Sequence, residues 1–133
     1  MKSKLLFFVL ALGVMTLNSC SSGGDGGPND SSAQFKDKWW YSPDNSTLDV
    51  YFNSNGTYES KFFFNGTTIP SNGEWEWVDE STKTFRVFNL QGNLTADYIG
   101  KVSDLTAHSL KLRSSLDDGA TYSAPYSYID TDN

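Results

Sequence analysis

The 133-residue chain has a single cysteine, Cys20, so no disulfide can form within it and any folded domain must be held by its own core. Histidine is equally scarce. His108 has no cysteine beside it to activate and no second histidine with which to hold a metal, and its place at a turn points to a solvated side chain. Basic residues number 10 against 16 acidic ones, a net charge of −6, and they form no cluster that could neutralise phosphates, which excludes nucleic acid as a partner. The acids are dispersed, as expected of a solvated surface. No apolar run is long enough to span a bilayer, which takes roughly 20 residues. The one that begins at Leu5 ends near Leu17.

What is present sorts into three parts. Lys2 and Lys4 followed by LLFFVLAL have the order of a secretory signal, residues 1–19. Leu17-Asn18-Ser19-Cys20 then resembles a bacterial lipobox. In that family the cysteine becomes the acylated N-terminus, so the resemblance implies lipidation of Cys20 and a membrane as partner. Ser21 rather than Asp after the cysteine implies passage to the outer membrane, with the domain facing the periplasm or the cell surface. More than one acyl chain is needed for stable attachment, since each buried CH₂ contributes roughly 0.8 kcal/mol. Residues 20–33, rich in Gly and Ser, read as a flexible tether. Loss of residues 1–19 would remove Lys2 and Lys4 and no acid, taking the net charge from −6 to −8.

Residues 34–133 have room for one domain. Aromatics make up 15% of the chain, which favours a β core built on rings. Residues 48–64 (LDVYFNSNGTYESKFFF) read as a hairpin: Leu48, Val50 and Phe52 share one parity, Tyr58, Ser60, Phe62 and Phe64 another, and Asn55-Gly56 sits between them. Around it the pattern predicts strands at 38–42, 73–78, 83–89, 95–103, 108–114 and 120–129. A longer loop is expected at 65–72, and Gly100 and Pro125 mark candidate irregularities. Eight short strands with regular turns and no convincing helix predict an all-β, antiparallel up-and-down barrel, because closure removes exposed edges. A β-sandwich is the alternative.

The order of motifs is similar to that of the lipocalin-like domains of small bacterial lipoproteins. The residues that carry it are Lys38-Trp39-Trp40-Tyr41, residues 50–58, Gly73-Glu74-Trp75, Tyr98-Ile99, Leu105-Thr106 and Leu110-Lys111-Leu112. Asp37-Lys38-Trp39 stands where that family more often has Gly-x-Trp. The resemblance implies a lipocalin-like barrel.

No catalytic residues and no cofactor are expected, for want of a triad, a metal set or a phosphate loop. Glu74 and Glu76 alternate with Trp75 and Trp77, so the carboxylates form an outer strand face rather than a hydrolytic pair. Asp117-Asp118-Gly119 lacks the remaining ligands of a calcium loop and reads as a turn. The sequons at Asn45, Asn55, Asn65 and Asn93 are explained by turn chemistry. The aromatic set can be core, the wall of an apolar pocket at a barrel mouth or a sugar-stacking platform; an eight-stranded barrel has room for a packed interior or one small ligand. For the pocket, the candidate ligand-binding residues are Trp40, Phe62, Phe64, Trp75, Trp77, Tyr98 and Tyr126. The expected function is therefore a monomeric, membrane-anchored binding module for a small apolar or amphipathic ligand. The alternative is an envelope interaction protein with a filled barrel that presents loops to a protein or glycan.

Overall fold

The computed structural model describes residues 34–132. The residues expected to form a signal segment, a lipobox with Cys20 and a tether, 1–33, lie outside the described residues. Eight strands follow one another: β1 (Trp39–Trp40), β2 (Asp49–Phe52), β3 (Thr57–Phe64), β4 (Thr67–Asp79), β5 (Thr84–Gly92), β6 (Tyr98–Ser103), β7 (Ser109–Ser115) and β8 (Tyr126–Ile129). Each pairs antiparallel with the next. The last meets the first through reciprocal hydrogen bonds, Tyr41 N–H to Ile129 O at 2.7 Å and Ile129 N–H to Tyr41 O at 3.0 Å. The sheet thus curls into a nearly closed up-and-down barrel. Its interior is lined by the parity set of each strand, among them Trp40, Val50, Phe52, Tyr58, Trp75, Phe85, Val87, Val102, Leu110, Leu112 and Tyr128, all buried.

Turn chemistry sets the register. Between β2 and β3, Gly56 N–H bonds to Asn53 O and Asn53 N–H to Thr57 O, and only Gly56 takes a positive φ, 90°. This is a type I turn closed by a glycine bulge. Between β3 and β4, Asn65 and Gly66 both have positive φ, 49° and 77°, and make the two-residue reversal. That corrects the expected loop at 65–72: the chain returns at once, and β4 runs from Thr67 to Asp79. Pro70 is accommodated because β5 first pairs with β4 at Ser71, which leaves residues 67–70 bonded on one side only. The hairpin therefore projects past the rim.

Three further expectations are corrected. Gly100 marks no bulge, since β6 stays in register with both neighbours. It makes room instead. A Cβ there would lie 2.1 Å from Cζ of Phe85, so only glycine lets that ring cross the strand. The register shifts occur in β4, at Asn72/Glu74 and Trp77/Asp79. The strand expected at 120–129 is confined to β8, and the one expected at 95–103 begins at Tyr98, which leaves 93–97 as a loop.

One end of the barrel is sealed by rings. Phe35, fully buried ahead of β1, stands 4.3 Å from Phe52, 5.3 Å from Trp77, 5.7 Å from Trp75 and 5.7 Å from Phe85 between ring centroids. Its carbonyl accepts a hydrogen bond from Trp40 Nε1 at 2.8 Å. Asp37 takes φ 62° and accepts from Ser54 N–H through Oδ1 at 2.7 Å. Aspartate is among the few residues that adopt this backbone region without glycine's freedom. The β2–β3, β4–β5 and β6–β7 turns lie at this closed end, and the other ends of the strands form a mouth.

Candidate ligand-binding site

At the mouth the rings give way to smaller side chains around a cavity of about 380 Å³. Leu48 just before β2, Val50 from β2, Tyr98 from β6, Leu112 from β7, and Tyr126 and Tyr128 from β8 line its wall. Leu94 in the β5–β6 loop and Leu116 just after β7 complete the rim. The loop is pinned by a hydrogen bond from Leu94 N–H to Ser71 Oγ at 3.2 Å. A pocket of this size with mostly apolar walls and a few hydroxyls is the usual form of a small-molecule site.

The polar groups of the interior are phenols and serines. Tyr98 donates its hydroxyl to that of Tyr58 at 3.1 Å. Burial raises the pKa of Tyr58, Tyr98 and Tyr128 above the usual phenol value, with mutual repulsion between the phenolates adding to the effect for Tyr98 and Tyr128. All three are therefore neutral donors across the biological pH range. Ser60, opposite Val50 and Ser71 on the interior face, is 2% exposed, and its Oγ has no hydrogen-bond partner among the described residues. A buried hydroxyl left in this way is unfavourable unless something accepts from it.

The expected site residues divide between several places. Tyr98 and Tyr126 line the cavity. Trp40 and Trp75 are buried in the packed core, and Trp77 packs against it at the closed end, 5.3 Å from Phe35, so none of the three lines the mouth. Phe62 and Phe64 stack at 6.3 Å and 17° on the projecting β3–β4 hairpin, where Phe63 and Phe64 are 53% and 56% exposed. The cavity residues that sequence reasoning missed include Leu48, Val50, Leu94, Ala96, Leu112, Leu116 and Tyr128. For Leu94 and Leu116 a signal was available: each is a lone leucine in an otherwise polar loop.

The groups weighed for chemistry are engaged locally. Glu76 lies directly across from Arg86 and pairs with it at 2.7 Å, and Glu74 bonds with Asn89. His108, largely exposed, contacts Asp130 through Nδ1 at 2.9 Å, and Lys38 reaches the same carboxylate at 3.3 Å. The Asp117 carboxylate accepts from Ser115 Oγ at 2.6 Å, Thr121 N–H at 2.8 Å and Thr121 Oγ1 at 2.6 Å. These bonds lower its pKa to about 2. It organises the turn expected at that place. On the outer face, Trp39, Tyr41 and Tyr51 cluster, with the Lys61 ammonium 4.3 Å above Trp39 and 5.0 Å above Tyr41.

Comparison of the chain with protein-family models, with curated proteins and with solved structures finds no match in any of the three. The functional reading therefore rests on the chain's own residues and the barrel they form.

Proposed function

We propose that this protein is a membrane-anchored, lipocalin-like lipoprotein that binds a small apolar or amphipathic ligand in the mouth of its barrel, without catalysis. One observation carries the reading: a cavity of about 380 Å³ with apolar walls, open at one end of a barrel whose other end is filled by rings. A barrel needed only as a scaffold gains nothing from leaving that volume unpacked, because unfilled apolar space costs stability. The Cys20 lipid anchor would hold the site at the outer membrane, where apolar molecules are available. Replacing Cys20 with Ala should abolish fatty-acid labelling and release the protein from the membrane fraction; unchanged labelling would exclude the anchor.

The binding reading is tested by blocking the mouth. Ala96, exposed on the β5–β6 loop and part of the cavity wall, can take a larger side chain without displacing the core. A neutral fluorescent amphiphile such as N-phenyl-1-naphthylamine should bind saturably to the wild type and much more weakly to Ala96→Trp, with both proteins equally stable. Flat titrations of the wild type would refute the pocket.

A second reading is favoured by the projecting hairpin. From residue 62 to residue 73 the chain carries no charged side chain, and Phe63 and Phe64 stand exposed at its tip. Such a finger is suited to docking on another envelope component, as in the interaction-protein alternative. Cross-linking from a position near the tip, lost on Phe63→Ser with Phe64→Ser while naphthylamine binding persists, would assign that role to the hairpin.

A further inference from the structure

The proposed cavity has a wall without charge. Among the described residues that line it there is no Asp, Glu, Lys, Arg or His. The charges closest in sequence to its lining are mostly acidic: Asp49 follows Leu48, Asp97 precedes Tyr98, and Asp117 and Asp118 follow Leu116. Lys111 and Arg113, on either side of Leu112, are exposed on the opposite parity, with Lys111 paired to Asp104 at 2.8 Å, and the nearby Lys61 is held on the outer face over Trp39 and Tyr41. A carboxylate brought into the mouth would lose its hydration, meet no cation and stand near fixed negative charge, which is a large penalty. A neutral acceptor has partners. The Tyr126 and Tyr128 phenols lie in the wall.

We infer that the mouth selects uncharged ligands: an apolar chain or ring carrying a neutral acceptor such as an ester, ketone or quinone carbonyl, and not an ionised fatty acid. The inference rests on the proposed binding role and adds the class of ligand. Its physical basis is an asymmetry. An apolar wall with phenol donors accepts a carbonyl at little cost, whereas an anion requires a counter-charge that this wall does not supply. Burial raises the pKa of the Tyr128 phenol, and repulsion from Tyr58 and Asp49 contributes, consistent with a local field unfavourable to anions.

The test is a competition on the full chain with the naphthylamine bound, using two compounds of one chain length, methyl decanoate and decanoate, at about pH 8. Methyl decanoate should displace the probe at a concentration about tenfold or more below that needed for decanoate. Equal potency, or stronger displacement by decanoate, overturns the selectivity while leaving the mouth as a binding site. Failure of the probe itself to bind overturns the pocket, and the inference with it. A second variant keeps the two separate. Leu116 is 79% exposed at the rim, so Leu116→Lys leaves the core untouched while supplying the missing cation. Whatever it does to binding overall, the substitution should shift the ratio of the two displacing concentrations several-fold toward decanoate, with an unaltered circular dichroism spectrum. A folded Leu116→Lys protein in which decanoate gains nothing on methyl decanoate would show that charge is not what the mouth discriminates, and would overturn the inference.

Discussion

The two ends of the barrel are built from different side chains on the same strands. At the closed end, Phe35, Phe52, Trp75, Trp77 and Phe85 meet with ring centroids 4.3 to 6.4 Å apart, many of them edge to face. At the mouth, the same sheet carries Leu48, Val50, Leu112 and tyrosines around a cavity. Ring pairs in that geometry add about 0.5 to 1.5 kcal/mol each beyond the area they bury. The stability of the domain should therefore be concentrated at the sealed end, which leaves the mouth residues free to be set by a ligand. Substitutions at the two ends should separate these roles.

The largest effect is expected at the plug. Phe35→Ala removes a ring that touches four others, and the cost of such a truncation is about 3 to 5 kcal/mol. Urea denaturation followed by tryptophan fluorescence would measure it. A loss below about 1 kcal/mol would mean that Phe35 is an ornament of the barrel and not its seal. Next comes Gly100→Ala, where the added methyl would sit 2.1 Å from the Phe85 ring and push it into Phe52 and Trp75; overpacking of this kind costs about 1 to 3 kcal/mol. The mouth should respond in the opposite sense. Leu116→Ser, at an exposed rim position, should change stability by no more than about 0.5 kcal/mol and yet weaken naphthylamine binding measurably. If it destabilised the fold as much as Gly100→Ala, the division between a structural end and a binding end would fail.

The barrel was legible from strand periodicity, because Leu48, Val50 and Phe52, or Leu110 and Leu112, can share a face only in an extended chain. Periodicity failed where tertiary context relaxes a local rule. Thr67 to Pro70 reads as loop since proline cannot sit in a ladder, but here its missing N–H falls on the side that β5 never reaches. Phe35 is a lone ring after a polar stretch of sequence and has no period at all. Its role depends on the barrel end it plugs. The candidate cavity was less visible for the same reason: its wall is assembled from residues as far apart as Thr47 and Tyr128, and closure through Tyr41 and Ile129 brings β1 and β8 together. Aromatic content pointed toward Trp75 and Trp77, because large rings serve equally well in a core and in a binding wall. The sorting between those uses lies in the sheet's register.

The smallest expected effect concerns acid. Asp117, in the turn that follows the rim residue Leu116, accepts from Ser115 and Thr121 and has its pKa lowered to about 2, against roughly 3.9 for an aspartate in an unfolded chain. A carboxyl whose folded pKa lies below its unfolded value stabilises the fold above the unfolded pKa, and that contribution is lost as pH falls from about 4 to about 2. Asp44, Asp79 and Asp130 are lowered as well, the first two by hydrogen bonds from neighbouring hydroxyls and Asp130 chiefly by His108, so all four carboxyls contribute to acid sensitivity in the same direction. Asp117 is solvent-facing, and its share should be modest. The comparison that isolates it is the urea midpoint of wild type and Asp117→Ala between about pH 5 and pH 2. The variant should start lower at pH 5 and fall less steeply, so that the two curves converge at the acid end. Parallel curves would mean that the turn at the mouth is held by its backbone, and that the Asp117 carboxylate contributes no charge-dependent support to the rim.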